Sequence, residues 1–158
     1  MVTVQFGRWT LSGDYDVTRA AYAAISVGGP EERGCTHCLN FAAQRSKVYP
    51  AIVLELFEKL GIQSNREAEI YHMARLETGN HLYGGWFHFV GSILSGTDAA
   101  KQIAKNLWQP DLESQSEFFS LVFSARTGLV RDPFKGLPLV QFEFTAKILW
   151  VINAEEPR

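Results

Sequence analysis

Residues 81–93 carry apolar or aromatic side chains on both faces of an extended chain. Leu82 and Trp86 fall on one side, and Tyr83 and Phe87 fall on the other. A strand that is apolar on both faces is typical of the middle of a sheet, where both faces are covered. We therefore expect residues 81–93 to form a central strand around which the rest of the fold is arranged.

A second strand is predicted just before it. Residues 67–76 alternate between two sets of side chains, as a half-buried strand does. Residues 78–80 read Thr-Gly-Asn, which is a turn signal. The two strands are therefore predicted to form an antiparallel hairpin.

Two segments have the apolar spacing of helices. Residues 50–60 begin at Pro50 and end before Gly61, which is the usual placement of these two residues at helix ends. A second helix is predicted from Thr97 to Pro110. Its apolar face comprises Ala100, Ile103, Ala104, Leu107 and Trp108.

The other segments complete a mixed chain. Strands are predicted at residues 2–11, 117–126 and 139–152, a short helix at 35–45, and a polar loop at 28–34. Hairpin-linked strands favour an antiparallel sheet. We expect an α+β fold, a mainly antiparallel sheet with helices packed on one face, in a single domain over residues 1–158.

The charge of the chain argues against nucleic acid as a partner. The formal net charge is −2, and the 15 Lys and Arg residues are scattered, whereas phosphate binding calls for a clustered basic surface. The N-terminal residues do not resemble a signal peptide, and no apolar run is long enough to span a bilayer. The expected protein is cytoplasmic, does not bind membranes, and has a small molecule or another protein as its partner.

The only two cysteines, Cys35 and Cys38, form a C-x-x-C pair ahead of a predicted helix. In a reducing compartment such a pair has three interpretations. It can grip a Zn²⁺ ion with two further ligands, act as a redox dithiol, or be packed as small buried residues. The redox interpretation lacks the βαβ context usual for such sites.

Zinc would require two more ligands, and His72 and His88 are the candidates because each lies on an otherwise apolar face. His37 is expected to point away from a shared ion, and His81 to be solvated. An even-numbered hairpin loop puts His88 opposite Glu69 and leaves the two candidate histidines on opposite faces. An odd-numbered loop puts both on one face.

The segment from Tyr83 to Phe89 contains adjacent glycines, Gly84 and Gly85, inside a strand. Such glycines mark either a bulky ring packed over them or a close approach by a ligand. In the second case Tyr83, Trp86 and Glu69 are the candidate binding residues of an aromatic pocket.

The sequence lacks a phosphate loop, G-x-G-x-x-G, G-x-S-x-G and H-E-x-x-H, which disfavours the enzyme classes that depend on them. The C-x-x-C-x-N-F motif (Cys35, Cys38, Asn40, Phe41), Leu60-Gly61-Ile62, Glu67-Ala68-Glu69 and Tyr83–Gly91 together resemble an uncharacterised bacterial domain family of unknown function. The resemblance implies that these segments belong to one site or core, and it implies no activity.

The leading hypothesis from the sequence is a zinc-binding domain with Cys35, Cys38, His72 and His88 as ligands. The alternatives are a binding module built on the aromatic segment and a thiol redox protein. Whether the chain is an enzyme is left open at this point.

Overall fold

A computed structural model describes residues 1–96, 100–110 and 112–158. The helices are α1 (Tyr15–Ala23), α2 (Gly29–Arg33), α3 (Thr36–Gln44) and α4 (Ala51–Leu60), with single 3-10 turns at Arg45–Lys47 and Asp132–Phe134. The strands are β1 (Val2–Phe6), β2 (Trp9–Gly13), β3 (Glu69–Arg75), β4 (His81–Ser95), β5 (Ala100–Ala104), β6 (Leu107–Pro110), β7 (Glu113–Ser116), β8 (Phe119–Ser124) and β9 (Leu139–Ile148).

Seven strands of the described residues form one antiparallel sheet in the order β1-β2-β4-β9-β8-β7, with β3 also paired to β4. This confirms the α+β class. The long strand predicted from residues 81–93 is β4, and it is central as expected. It pairs with β9 over ten residues, from His81 with Ile148 to Val90 with Leu139.

The other edge of β4 is shared by three partners. β3 pairs with its first part, β2 pairs with its last part, and α1 fills the gap between them. The hydroxyl of Tyr22 accepts from the His88 N–H at 3.2 Å and donates to the His88 carbonyl at 2.6 Å. The Val90 N–H donates to Thr18 Oγ1 at 3.0 Å. Side chains of a helix thus satisfy backbone groups that a strand would otherwise pair.

Aromatic rings form the core on one face of the sheet. Helices α3 and α4 supply Phe41 and Phe57, and Tyr49 comes from the segment between them. These rings contact Phe87 of β4 and Phe144 of β9 with centroid separations of 4.7 to 6.3 Å. All five side chains are at most 5% exposed. Most of these contacts are edge-on, a geometry that adds to the free energy gained by burial.

Helix α4 confirms the helix predicted at residues 50–60. Its last residue is followed by Gly61, which has φ of +79° and donates its N–H to the Phe57 carbonyl. Pro50 lies just before the first turn, as its N-cap. Burial of Val53, Leu56, Phe57 and Leu60 ties the helix to the sheet. None of the helices in the described parts of the chain is both long and apolar enough to cross a membrane.

The second predicted helix is wrong. Residues 100–104 and 107–110 are the strands β5 and β6, which pair with each other as a separate two-stranded sheet. Asn106, in the turn between them, has φ of +61°, a left-handed conformation that asparagine tolerates and that interrupts a helix. Thr97, the predicted helix cap, lies outside the described residues.

Two other predicted segments are subdivided. Residues 2–11, predicted as one strand, form the hairpin β1–β2, which turns at Gly7 with φ of +54°. The polar loop predicted at residues 28–34 contains the short helix α2.

The register of the β3–β4 hairpin matches neither sequence-based alternative, since Glu69 pairs with Trp86 and not with His88, and the predicted Glu69–His88 pair does not form. The loop 76–80 has an odd number of residues and pairs Arg75 with His81. The register then shifts at Met73, and His72 pairs with Tyr83. This bulge moves His72 onto the face of β4 that carries Tyr83, while His88 lies on the other face.

The adjacent glycines of β4 accommodate bulky neighbours, the first of the two sequence interpretations. The Tyr71 ring lies directly over Gly84, where a Cβ would overlap it. At Gly85, a Cβ would lie 2.7 Å from the Glu69 carbonyl oxygen and 2.9 Å from the Phe144 ring. Rings and backbone therefore occupy the space that a ligand would need.

We expect Gly84→Ala to lower the free energy of unfolding by about 1–3 kcal/mol, the usual cost of overpacking. In a Tyr71→Ala background the same substitution should cost much less, because the clashing ring is gone. Urea denaturation of the four proteins measures this coupling. The matched control is Gly128→Ala, where the nearest atom to a Cβ would be 3.9 Å away. Equal costs of Gly84→Ala in both backgrounds would show that the ring is not the reason for the glycine.

Candidate functional site

The two cysteines lie at the start of α3. Gly34 ends α2 in a left-handed conformation with φ of +62°, and Cys35 then adopts extended dihedrals as the N-cap of α3. Its Sγ accepts a hydrogen bond from the Cys38 N–H at 3.4 Å. Cys35 is exposed, Cys38 is 2% exposed, and their sulfur atoms are 2.7 Å apart. Only small side-chain movements separate this dithiol from a disulfide.

The surroundings of the two thiols differ. Burial, with the hydrogen bond and charge of Cys35, raises the pKa of Cys38 to about 12, against the opposing charge of Arg33. Arg33 lies at the end of α2 and donates to the Glu69 carboxylate at 2.6 Å. The dithiol therefore comprises one accessible sulfur and one sulfur that is a thiol at neutral pH.

Three histidines meet near the first turn of α3, and we call His37, His72 and His81 the histidine corner. The rings of His37 and His72 are 4.4 Å apart between centroids. His72 Nε2 and His81 Nδ1 are 2.8 Å apart and share a hydrogen bond. The Tyr83 hydroxyl donates to the His37 carbonyl at 2.9 Å, and its ring meets His72 edge-on. The strand pairing thus brings residues of β3 and β4 against the loop that holds the cysteines.

The segment that follows β9 covers this corner. His81 Nε2 is 2.8 Å from Glu156 Oε1, and Arg75 is 3.3 Å from the same oxygen. The hydrogen bond from His81, with the charge of Arg75, lowers the pKa of Glu156. The Trp150 ring lies 5.4 Å from His81 and 6.1 Å from His37. His81 is fully buried as a result, and the expectation that it is solvated is wrong.

Asn40 anchors this covering segment. It is fully buried on α3, its amide donates to the Leu149 carbonyl at 3.1 Å, and its oxygen accepts from the Val151 N–H at 2.7 Å. The same amide group is 3.3 Å from the Tyr83 hydroxyl. One side chain therefore connects the helix of the cysteines, the central strand and the covering segment.

The structure does not bring His88 to this corner. It lies on the opposite face of β4, is 1% exposed, and shares a 2.9 Å hydrogen bond with Gln141 Oε1. An amide oxygen only accepts hydrogen bonds, so His88 is the donor in this pair. The same oxygen also accepts from the Gly128 N–H. Burial lowers the pKa of His88. His88 is therefore a core residue whose ring nitrogen Nε2 has a hydrogen-bond partner inside the protein.

The four residues named as zinc ligands are therefore divided. Cys35, Cys38 and His72 lie on one side of β4, and His88 lies on the other. Among the described residues, no group of three or more His, Cys, Asp or Glu side chains is arranged to hold a metal ion.

The candidate binding residues of the aromatic segment are divided in the same way. Tyr83 is fully buried on the face of β4 that carries the histidine corner. Trp86 lies on the other face opposite Glu69, and its indole N–H donates to the Gly128 carbonyl. Glu69 lines a cleft of about 620 Å³ between α2 and the 129–135 segment, and neither aromatic residue contributes to that cleft.

A buried ion pair positions α2 and therefore the residues before Cys35. Arg45 donates to Glu67 at 2.6 and 3.1 Å and reaches Glu31 of α2 at 2.6 Å. Burial raises the pKa of Glu67 to about 7, against the opposing charge of Arg45. The Gly29 N–H donates to the Glu67 carbonyl. Removing one member of such a buried pair leaves the other charge uncompensated.

Sequence reasoning missed His37, His81, Asn40 and Glu156. Local geometry argues against His37 and His81 as ligands, although His81 starts the same central strand as Tyr83, two positions away on the same face. Asn40 is part of the C-x-x-C-x-N-F motif, and that motif was its only signal. Glu156 carried no signal, because its place depends on how the chain turns back after β9.

We expect Asn40→Ala to release residues 149–156 and to destabilise the protein by about 2–3 kcal/mol, because buried polar partners lose their hydrogen bonds. Hydrogen exchange at Val151 should accelerate more than exchange in β9. The matched control is Gln44→Ala, since Gln44 also donates to the Leu149 carbonyl, at 2.7 Å, but is only partly buried. Unchanged exchange at Val151 in Asn40→Ala would contradict the anchoring role.

Comparison with known proteins found no similar protein: no family model, no curated protein and no solved structure matches this chain.

Proposed function

We propose that this chain is a cytoplasmic thiol redox protein in which Cys35 and Cys38 exchange electrons with a disulfide of a small molecule or protein. The observation that carries the proposal is the asymmetric dithiol: an exposed sulfur at the N-cap of a helix, 2.7 Å from a buried sulfur. The accessible sulfur of such a pair is the one that can meet an external disulfide, and its thiolate form is the nucleophile in thiol–disulfide exchange.

The reaction follows from this asymmetry. The Cys35 thiolate attacks one sulfur of the substrate disulfide, whose S–S bond breaks and releases a first thiolate. Cys38 then loses its proton and attacks Cys35 Sγ, which breaks the mixed disulfide and releases the second thiolate. The substrate gains two electrons and becomes two thiols, while the protein becomes the Cys35–Cys38 disulfide. A cellular dithiol would return it to the reduced state.

Burial of Cys38 serves this sequence of steps. A thiol whose pKa is near 12 is about one part in 10⁵ thiolate at pH 7, so it does not compete for external disulfides. Cys38 nevertheless remains within reach of Cys35, because the two residues lie in the first turn of α3 and their sulfur atoms are 2.7 Å apart. The fold thus distinguishes the sulfur that meets the substrate from the sulfur that completes the reaction.

We expect Cys38→Ser to accumulate a stable mixed disulfide with glutathione disulfide, visible by intact mass, whereas the reduced wild-type chain should end as an intramolecular disulfide. Cys35→Ser should react at least about 100-fold more slowly than Cys38→Ser, because its remaining thiol is buried and protonated. Both variants should react equally once unfolded in urea, which is the control for reagent access.

Elemental analysis of the purified, reduced protein completes the test. About one zinc per chain with both thiols unreactive would overturn the redox proposal and support the zinc-binding hypothesis drawn from the sequence. Equal reactivity of the two single-cysteine variants in the folded state would overturn it as well.

A further inference from the structure

A second cavity lies where β1 and β7, the first and last strands of the sheet order, approach each other. In that order β2 and β8 are separated by β4 and β9, yet the rings of Trp9 and Phe123 meet with a centroid separation of 5.0 Å. Phe6 of β1 contacts the same Phe123 ring at 6.0 Å. The sheet is therefore strongly curved, and β1, β7 and α4 together border a cavity of about 480 Å³. Cavities of this size commonly hold small molecules.

One face of α4 forms a largely apolar wall of this cavity. Ile52, Glu55, Leu56 and Lys59 have the i, i+3, i+4, i+7 spacing of a single helix face, and all four line the cavity. Leu56 is 2% exposed, whereas Ile52 is 53% exposed although it is apolar. Phe6 lines the cavity from the side of β1. An apolar group placed here would remove Ile52 from water, which is favourable.

Glu113 of β7 is the partly buried charge of the lining, since Glu55 and Lys59 are exposed. Its carboxylate lies against Gly7, where a Cβ would be 3.4 Å from Oε2 and 3.5 Å from Oε1. Oε2 is buried and has no hydrogen-bond donor among the described residues. A buried acceptor without a partner costs free energy, and the cost is larger for a charged group. The structure thus leaves a carboxylate unsatisfied in the wall of a cavity.

The charges of this cavity also differ from those of the cleft between α2 and the 129–135 segment. In that cleft every charged side chain belongs to an ion pair at 2.6 Å: Glu32 with Arg131, Glu69 with Arg33, and Asp132 with Lys135. Within the described parts of the chain, no ion pair involves Glu55, Lys59 or Glu113. Two carboxylates and one ammonium group give this lining a negative balance. A cation is the ligand whose charge complements it.

We infer that the cavity between β1, β7 and α4 is a binding site for an organic cation, a protonated amine carried on an apolar body. The nitrogen donates hydrogen bonds to the Glu113 carboxylate, and the apolar body packs between Ile52 and Phe6. Rotation about the terminal bond of Glu113 presents either oxygen to the ligand, because such a torsion is broad. Neither cysteine lines the cavity, so this site is independent of the redox proposal.

Three probes that share a phenyl body test this site by NMR titration of the reduced protein: 2-phenylethylammonium, 2-phenylethanol and 3-phenylpropionate. We expect the ammonium to bind most tightly, the alcohol more weakly and the carboxylate not measurably, with amide shifts at Gly7, Leu56 and Ser114. Equal binding of the ammonium and the alcohol would overturn the inference, because the apolar body alone would then account for binding. Absence of shifts around the cavity would overturn it as well.

Substitution of the carboxylate tests its role directly. Glu113→Gln should weaken binding of 2-phenylethylammonium at least about 10-fold, because hydrogen bonds between charged groups contribute that much. The matched control is Glu117→Gln, since Glu117 is exposed just after β7 and does not line the cavity. Lys59→Gln should tighten binding, because it removes a competing cation. An unchanged affinity in Glu113→Gln would contradict the proposed site.

Urea denaturation distinguishes a ligand site from a structural role of Glu113. Because the Glu113 carboxylate has no hydrogen bond to lose, Glu113→Gln should unfold at the same urea concentration as wild type or at a higher one. The ammonium probe should raise the wild-type midpoint, as a ligand of the native state does, and should not raise that of Glu113→Gln. A destabilised Glu113→Gln would show that the carboxylate serves the fold and would overturn the inference. None of these measurements involves the thiols, so failure here leaves the redox proposal standing.

Discussion

Hydrogen bonding along both edges of β4 is the constraint on which the rest of this structure depends. One edge is paired to β9 without interruption, and the other is divided between β3, α1 and β2. Because Tyr22 and Thr18 satisfy the backbone of His88 and Val90, the strand passes between two neighbours without leaving unpaired groups. A buried strand with orphaned N–H and C=O groups would be costly, so α1 is as much a part of the sheet as its strands are.

The dithiol and the histidine corner are consequences of that arrangement. The aromatic core packs α3 against β4 through Phe41 and Tyr83, and this brings the N-terminus of α3 over the start of β4. The segment after β9 then closes over the same place, because β9 ends where His81 begins β4. Three parts of the chain that are distant in sequence therefore meet at one corner, although none of them carries a complete site.

Much of the fold was predictable because it follows from local patterns. The two-sided apolar strand, the hairpin before it and the helix between Pro50 and Gly61 all have periodicity and end signals that act over a few residues. The prediction of a helix at 100–110 was wrong because the apolar spacing of this segment fits a helix as well as a hairpin. The left-handed conformation of Asn106 is what favours the hairpin. The register of His72 was not predictable, since a bulge at Met73 leaves no mark in the alternation. For the site, the cysteine pair was visible, but its histidine neighbours depend on tertiary pairing.

The bulge at Met73 also has a consequence for chain length in this region. With the extra residue, β3 places His72 on the face of β4 that carries His81. Without it, His72 would lie on the face that carries His88. Loss of that single codon would preserve every other residue and the hairpin itself, yet it would exchange the faces on which the side chains before Met73 lie. Among variants of this chain, a one-residue deletion there is therefore a larger change to the chemistry of the corner than most substitutions within it.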